Sequence, residues 1–311
     1  MEKLNSSGSR ISLKGFGVLA VILKMFGILL IGNALGHFVL KEVFHINFSS
    51  EEQLLELIKT APNPQSIILK SQGVNALFTF FLLPISYIIF FKRSYIEKFN
   101  PVSKRFMVFL FLAVVIFFTG MPLLAYLVEW NKAINLPSGL KSVQAWMEKS
   151  EHLAKVLTET IIYYEDNNSF FVVLLIVAIL PGIGEELLFR GIVQNEIQDI
   201  LKSPTWAIWI TGFLFSFIHF QFFGFFPRML LGVLFGYFYY WSGNIYVSMF
   251  VHFMNNALSL VLANMYKQKA ISFDPDSVEF IPVYSVIISI ITFAFFVYLY
   301  KRISTEAGIT K

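Results

Sequence analysis

Long apolar runs separated by short polar connections dominate the chain. A helix needs about 20 mostly apolar residues to cross the ~30 Å hydrocarbon core of a bilayer. Eight segments approach that length: roughly 16–40, 67–91, 106–130, 168–189, 204–223, 228–243, 244–265 and 281–300. The third runs from Phe106 to Leu127 without a charge. Pro84 and Pro122 fall inside runs, which membrane helices tolerate when neighbours satisfy the freed backbone groups. The sixth run is short and meets the seventh through Ser242-Gly243-Asn244, predicting a tight helical hairpin. Gly232 and Gly236 give the sixth a small-xxx-small face for close helix packing. The expected fold is all-α, a polytopic membrane protein of about eight spans.

Two connections have patterns of their own. Ser50 followed by Gln53 reads as a capping box opening a short helix over 51–59. In 141–164, Val143, Trp146, Met147, Leu153, Leu157, Ile161 and Tyr164 recur near the helical period, with Glu148, Lys149, Glu151, Lys155 and Glu159 off that stripe. This predicts an amphipathic helix on the membrane surface; an ordinary helix packed on a loop is the alternative. The chain therefore divides into N-terminal spans with this helix (1–165), a polar-bearing core (166–265), and a last span with its tail (266–311).

Composition agrees. Of 311 residues, 56% are hydrophobic and only 14% charged, where a soluble domain carries about 25% charged residues. The absence of cysteine excludes a disulfide scaffold, cysteine-ligated metal or haem sites and a thiol nucleophile. The net charge of +4 gives no nucleic-acid stripe, because the basic residues flank the apolar runs; the lipid bilayer is the expected partner. The distribution of those residues orients the chain. With a cytoplasmic N-terminus, Lys3, Arg10, Lys14, Lys92, Arg93, Lys98, Lys104, Arg105, Arg190, Lys202, Lys301, Arg302 and Lys311 lie inside. Lys41, Lys59, Lys132, Lys141, Lys149, Lys155, Arg228, Lys267 and Lys269 lie outside. The larger inside set predicts a multi-pass protein of the plasma membrane with both termini in the cytoplasm. Arg10 and Lys14 precede the first apolar run as in a secretory signal, but that run is long and contains Lys24, so it reads as a retained span.

Ionisable groups inside spans are costly and mark functional sites by default. They occur at Glu185-Glu186-x-x-x-Arg190 just after Pro181-Gly182, at His219, at His252 with Asn255 and Asn256, and at Lys24. Adjacent helical residues point ~100° apart, so Glu185 and Glu186 are expected to serve different partners. Glu186 precedes Arg190 by four residues, the favourable order for an ion pair. Glu185 is then free for general-base work. His252 and Asn256 share one helix face, and two such donors suit a developing oxyanion. Asn255, on the neighbouring face, reads as a helix-contact residue, and Lys24 has no evident partner.

Taken in order, Glu185-Glu186-x-x-x-Arg190, Phe215-x-x-x-His219 and His252-x-x-x-Asn256 resemble the three-motif signature of the CPBP (Abi) intramembrane proteases, the family of CAAX prenyl proteases and bacteriocin-processing proteins. The resemblance runs from Gly184 to Asn256. It implies that Glu185 and His219 activate a water, that His252 and Asn256 hold the oxyanion, and that Glu186 and Arg190 support the site. It also brings a second mechanism, in which Glu185, His219 and His252 are zinc ligands; one carboxylate and two imidazoles suit a catalytic zinc site with an open position. No His-Glu-x-x-His occurs, and the metal-free scheme, with no cofactor, is the preferred expectation.

The leading reading is thus an endopeptidase cleaving a membrane-associated protein or peptide, of CAAX or leader-peptide type. The rivals are a non-enzymatic immunity-type membrane protein and a transporter using Glu185, Glu186 and Arg190 as a proton relay. One conflict remains open at this stage. Glu185 lies ~25 Å along a fourth span entered from outside, whereas His219 lies ~22 Å along a fifth entered from inside, and those depths do not meet. Either Pro181-Gly182 breaks the fourth helix and tilts it back, or the 191–205 stretch lies within the bundle.

Overall fold

Each apolar run becomes a helix in the computed structural model, which describes residues 2–99, 105–134, 136–162, 167–272, 275 and 282–310. The helices are α1 (Glu2–Phe44), α2 (Glu51–Thr60), α3 (Pro64–Phe91), α4 (Phe106–Lys132) and α5 (Lys141–Ile162). There follow α6 (Ser169–Leu201), α7 (Pro204–Phe217), α8 (Phe225–Ser242), α9 (Ile245–Lys267) and α10 (Val283–Glu306). Among the described residues there is no strand. Tyr164 of the amphipathic stripe and the basic residues Lys104 and Lys311 lie outside the described residues.

The protein is an all-α polytopic membrane protein, and six of the eight expected runs give helices that meet the length and apolarity of a span. Six helices are long and apolar enough to cross: α1 from Lys14, α3, α4, α6, α9 and α10. With 14 residues α7 covers only ~21 Å, and α8 carries Arg228 and three tyrosines. These two pack chiefly on each other, with Gly212 against Val233 and Gly232 against Phe215. Exposed apolar side chains such as Phe16, Leu23 and Leu30 on α1, Phe111 on α4 and Ile287, Ile291 and Phe295 on α10 form the lipid-facing perimeter.

Contacts sort the helix ends into two sets. At one end α5 lies over the loop between α7 and α8, with the Trp146 and Phe222 rings 5.1 Å apart. At that end Asn131 Nδ2, from α4, donates to the Phe222 carbonyl at 2.8 Å, and Lys267 Nζ, from α9, donates to the Glu159 carbonyl at 3.0 Å. At the other end Tyr95 donates to Asp199 at 2.7 Å, Gly17 of α1 abuts Ile200, and Gly243 abuts Ile309 beyond α10. The start of α1 and the end of α10 therefore share one end of the bundle. The amphipathic α5 combines both expectations: Val143 and Trp146 are exposed near its start, while Ile161 and Ile162 are buried against α3 and α6. Ser50 caps α2 by accepting from the Gln53 amide, whereas the Gln53 side chain reaches Ser49 and not Ser50.

Pro181-Gly182 does not break α6. Wide, i→i+5 turns at 175–179 and 187–194 flank it, and the first absorbs the ring and missing N–H of Pro181. The second frees carbonyls that Asn195 recovers, its Nδ2 donating to Arg190 O at 2.9 Å and Gly191 O at 3.1 Å. The helix thus continues through 191–201, which is buried from Gly191 to Ile197. Lys24, for which the sequence offers no partner, reaches this extension: its Nζ lies 2.6 Å from Glu196 Oε2, and Tyr87 donates to Glu196 Oε1 at 2.6 Å. Glu196 is 4% exposed, so it belongs to the bundle interior and not to a connection. The tight hairpin is present as expected: Gly243, at φ +62°, ends α8, and Asn244 caps α9 by accepting from the Tyr246 amide.

Candidate functional site

The site begins where α6 crosses α9. A Cβ on Gly182 would stand 2.8 Å from the backbone N and Cα of Phe253, so the missing side chain is what lets the two helices touch. One turn further along α6, Glu185 and Glu186 meet His252, the residue before Phe253. His252 Nδ1–H donates to Glu186 Oε1 at 3.0 Å, and its Nε2 lies 3.9 Å from Glu185 Oε2. One imidazole therefore sits between both carboxylates, against the expectation that adjacent residues would diverge to separate partners. The ~100° between them is spanned because His252 comes from the facing helix and enters the gap.

The expected ion pair is present: Arg190 Nη1 donates to Glu186 Oε1 at 2.6 Å, with both side chains wholly buried. Arg190 Nη2 donates to the Gly232 carbonyl at 2.5 Å, and its guanidinium lies over the Phe215 and Phe235 rings. Gly232 and Gly236 do more than pack. Their carbonyls accept from Arg190 and from Gln194 Nε2, fastening α8 to α6.

His219 lies two residues beyond α7. Its Nδ1–H donates to the Phe215 carbonyl at 2.7 Å, which leaves Nε2 as the acceptor nitrogen. Phe215 touches both imidazoles, its ring centroid 5.2 Å from that of His219 and 5.6 Å from that of His252, while Phe235 stacks on His252 at 4.9 Å. The loop after His219 is pinned by Asn131, whose Oδ1 accepts from the Phe226 amide, and by Ser216, which donates to the Phe225 carbonyl. Phe220 adopts φ +51° in that loop, a left-handed conformation held by ring contacts with Phe217 and Trp146.

These elements enclose a cavity of about 400 Å³ lined by Glu185, His219, His252 and Asn256, together with Asn255, Arg228, Phe215 and Phe235. The four expected site residues therefore converge, with Glu186 and Arg190 buried behind them. The depth conflict resolves through the long α6: Glu185 lies sixteen residues from Ser169 and sixteen from Leu201, at the midpoint. The 191–205 stretch inside the bundle, not a break at Pro181-Gly182, brings it level with His219.

Two cavity residues had no part in the expected chemistry: the sequence reads Asn255 as a helix-contact residue and Arg228 as a connection charge. Asn255 Nδ2 donates to Asn256 Oδ1 at 3.1 Å, so it orients the neighbouring amide and leaves Asn256 Nδ2 free to donate. Arg228 opens α8 beside Pro227, where it reads as one more connection charge. One Glu185 oxygen, Oε2, is buried without a hydrogen-bond partner among the described residues. As arranged, no three His, Asp or Glu side chains among the described residues form a group able to hold a metal ion. The Glu185, His219 and His252 set is therefore not arranged to hold zinc.

Comparison with known proteins bears on this same region. Residues 167–258 match the model of the type II CAAX prenyl endopeptidase Rce1-like family. The uncharacterized protein YpbD of Bacillus subtilis (strain 168) is 29% identical over 86 residues, covering 26% of this chain and 41% of that protein, so the chain spans less than half the length of this curated relative. No solved structure matches the chain. Glu185, His219, His252 and Asn256 all fall inside the matched segment, so the similarity to the Rce1-like type II CAAX prenyl endopeptidases covers residues 167–258, which carry the whole site.

Proposed function

We propose that the protein is an intramembrane endopeptidase that hydrolyses a peptide bond of a membrane-associated protein, of CAAX or leader-peptide type. The observation that carries this reading is the convergence of Glu185, His219, His252 and Asn256 on one cavity from three separate motifs. In the scheme a water lies between the unpartnered Glu185 Oε2 and the acceptor Nε2 of His219. Glu185 takes a proton as the water oxygen bonds to the scissile carbonyl carbon. The negative charge that develops on the carbonyl oxygen is met by Asn256 Nδ2–H and by His252 in its doubly protonated form, with Nδ1–H committed to Glu186 and Nε2–H turned to the cavity. The C–N bond then breaks, and the proton held by Glu185 passes to the leaving amine. Glu186 and Arg190 do no chemistry here; they fix the His252 ring and tie it to α8.

The same reading places both termini in the cytoplasm of a plasma membrane, with α5 on the opposite side, because the basic residues are more numerous at the end that holds the start of α1 and the end of α10. The test of function is cleavage of a lipid-modified peptide by the purified full-length chain in lipid nanodiscs. Activity that persists in Glu185→Gln would sink the proposal. Loss of activity on chelation, with recovery on adding zinc, would replace the water-activating scheme with the metal one.

A further inference from the structure

Arg228 is a cation in the cavity that the scheme above leaves unused. Its position is built rather than incidental. Nη2 donates to Gln221 Oε1 at 2.5 Å and Nη1 donates to the Gln221 carbonyl at 3.2 Å, so the loop that carries His219 also holds this guanidinium. The remaining three of its five N–H donors have no acceptor among the described residues, and no carboxylate there lies within ion-pair distance. Two carboxylates act on it through their charge: Glu185, in the cavity, and Glu151 on α5, a partly buried residue whose Oε2 has no hydrogen-bond partner among the described residues.

A partly buried guanidinium with no carboxylate in ion-pair contact retains unused donors, and the fork of an arginine matches a carboxylate through two parallel hydrogen bonds. Beside the polar groups of the site the cavity is walled by Leu124, Leu231, Phe215 and Phe235, apolar surface that strengthens a charge-assisted contact made there. We propose that Arg228 anchors a carboxylate of the substrate, and that the enzyme recognises peptides carrying one close to the scissile bond. This inference rests on the proteolytic reading of the site and adds to it the residue that selects the substrate. A chamber of about 400 Å³ is on the order of 9 Å across, and an extended chain covers at most ~3.5 Å per residue. The carboxylate and the cleaved bond are therefore only a few residues apart. Either the free C-terminus of the peptide or an acidic side chain supplies the same chemistry.

The test uses the full-length chain in nanodiscs and one farnesyl-cysteine peptide pool, randomised after the cysteine and made in three forms. These are a free acid, a C-terminal carboxamide, and a carboxamide ending in Asp. Binding to the Glu185→Gln protein is read by fluorescence anisotropy, and cleavage is read with the parent chain. The free acid should bind at least tenfold more tightly than the plain carboxamide. Arg228→Gln, placed on the Glu185→Gln background, should erase that ratio, and Arg228→Lys should restore part of it. If the Asp-ending carboxamide recovers the affinity, the carboxylate read is a side chain; if it does not, it is the C-terminus. Equal binding of acid and plain carboxamide, a ratio that survives Arg228→Gln, or no binding of any form overturns the proposal. Cleavage without preference would remove this inference and leave the protease reading intact. An Arg228-dependent preference without cleavage would do the reverse.

Discussion

The Cα of Phe253 stands 2.8 Å from where a Cβ of residue 182 would lie, so the α6–α9 crossing has room for glycine and for nothing larger. Because the obstructing atoms are backbone, they cannot swing aside as a side-chain tip would. Gly182→Ala should push the helices apart just where Glu186 and His252 make a 3.0 Å hydrogen bond. The expected cost is about 1–3 kcal/mol of stability, as for other overpacked contacts. Peptidase activity should fall more than stability does. Thermal unfolding of the detergent-solubilised variant beside its turnover checks this; a variant as stable and active as the parent would show that the crossing is not what sets the site.

Glu185 and Glu186 should fail differently when neutralised. Glu186 Oε1 accepts from both Arg190 and His252, and Arg190 has no other acidic partner among the described residues. Glu186→Gln should therefore destabilise the fold by about 3–5 kcal/mol, since it leaves a buried guanidinium uncompensated. Glu185→Gln removes no ion pair closer than 3.9 Å and should leave a folded, inactive protein. Yield, melting temperature and activity of the two variants, measured side by side, separate the roles. The same stability and the same loss of activity in both would argue for a shared function.

What could be read from sequence followed the range of the interactions. The Glu186–Arg190 pair and the common cavity of His252 and Asn256 are i, i+4 relations, visible in helical spacing alone. Lys24 and Glu196 are 172 positions apart, and nothing local announces their contact. The same holds for His252 reaching two adjacent carboxylates, because the direction of approach belongs to a different helix. Pro181-Gly182 left two alternatives open, and the structure takes the one without a break. A proline followed by glycine is a helix stop in water, but here a wide turn takes up the proline and the glycine serves a crossing. Apolar length alone does not separate the six helices that are long and apolar enough to cross from the short α7 and the more polar α8, which pack chiefly on each other.

Topology can be probed directly, since the chain has no cysteine of its own. The Tyr95–Asp199 contact puts the turn after α3 at the same end as the termini, and the Trp146–Phe222 contact puts α5 at the other. Single cysteines at Ser94 and Ser150 should therefore label from opposite sides of the membrane, with Ser94 protected from an impermeant reagent in intact cells. Whether α7 and α8 both cross or neither does, this outcome is unchanged, because they are paired. Labelling of both positions from one side would refute the two-ended arrangement.

The amides of Asn255 and Asn256 allow a graded test of the oxyanion assignment. Asn256 Oδ1 is occupied by the Asn255 donor at 3.1 Å, which turns Asn256 Nδ2 outward as the free donor of the pair. Loss of one oxyanion donor costs ~2.7–4 kcal/mol of transition-state stabilisation, or about 10²–10³ in turnover. Asn256→Ala should show that fall in kcat with little change in KM, because the bond forms with the tetrahedral intermediate rather than with the ground-state carbonyl. Asn255→Ala removes only the group that orients it. A freed amide samples other rotamers but still donates for part of the time, so a loss of about tenfold or less is expected. His252→Ala should match Asn256→Ala in kcat and also lose stability, since its Nδ1 partner Glu186 is left with Arg190 alone. In the zinc scheme the order changes: His252→Ala would abolish metal binding, whereas Asn256→Ala would leave zinc content untouched and activity only mildly reduced. Kinetic constants for the three variants, read beside metal analysis of each purified protein, decide between the two schemes.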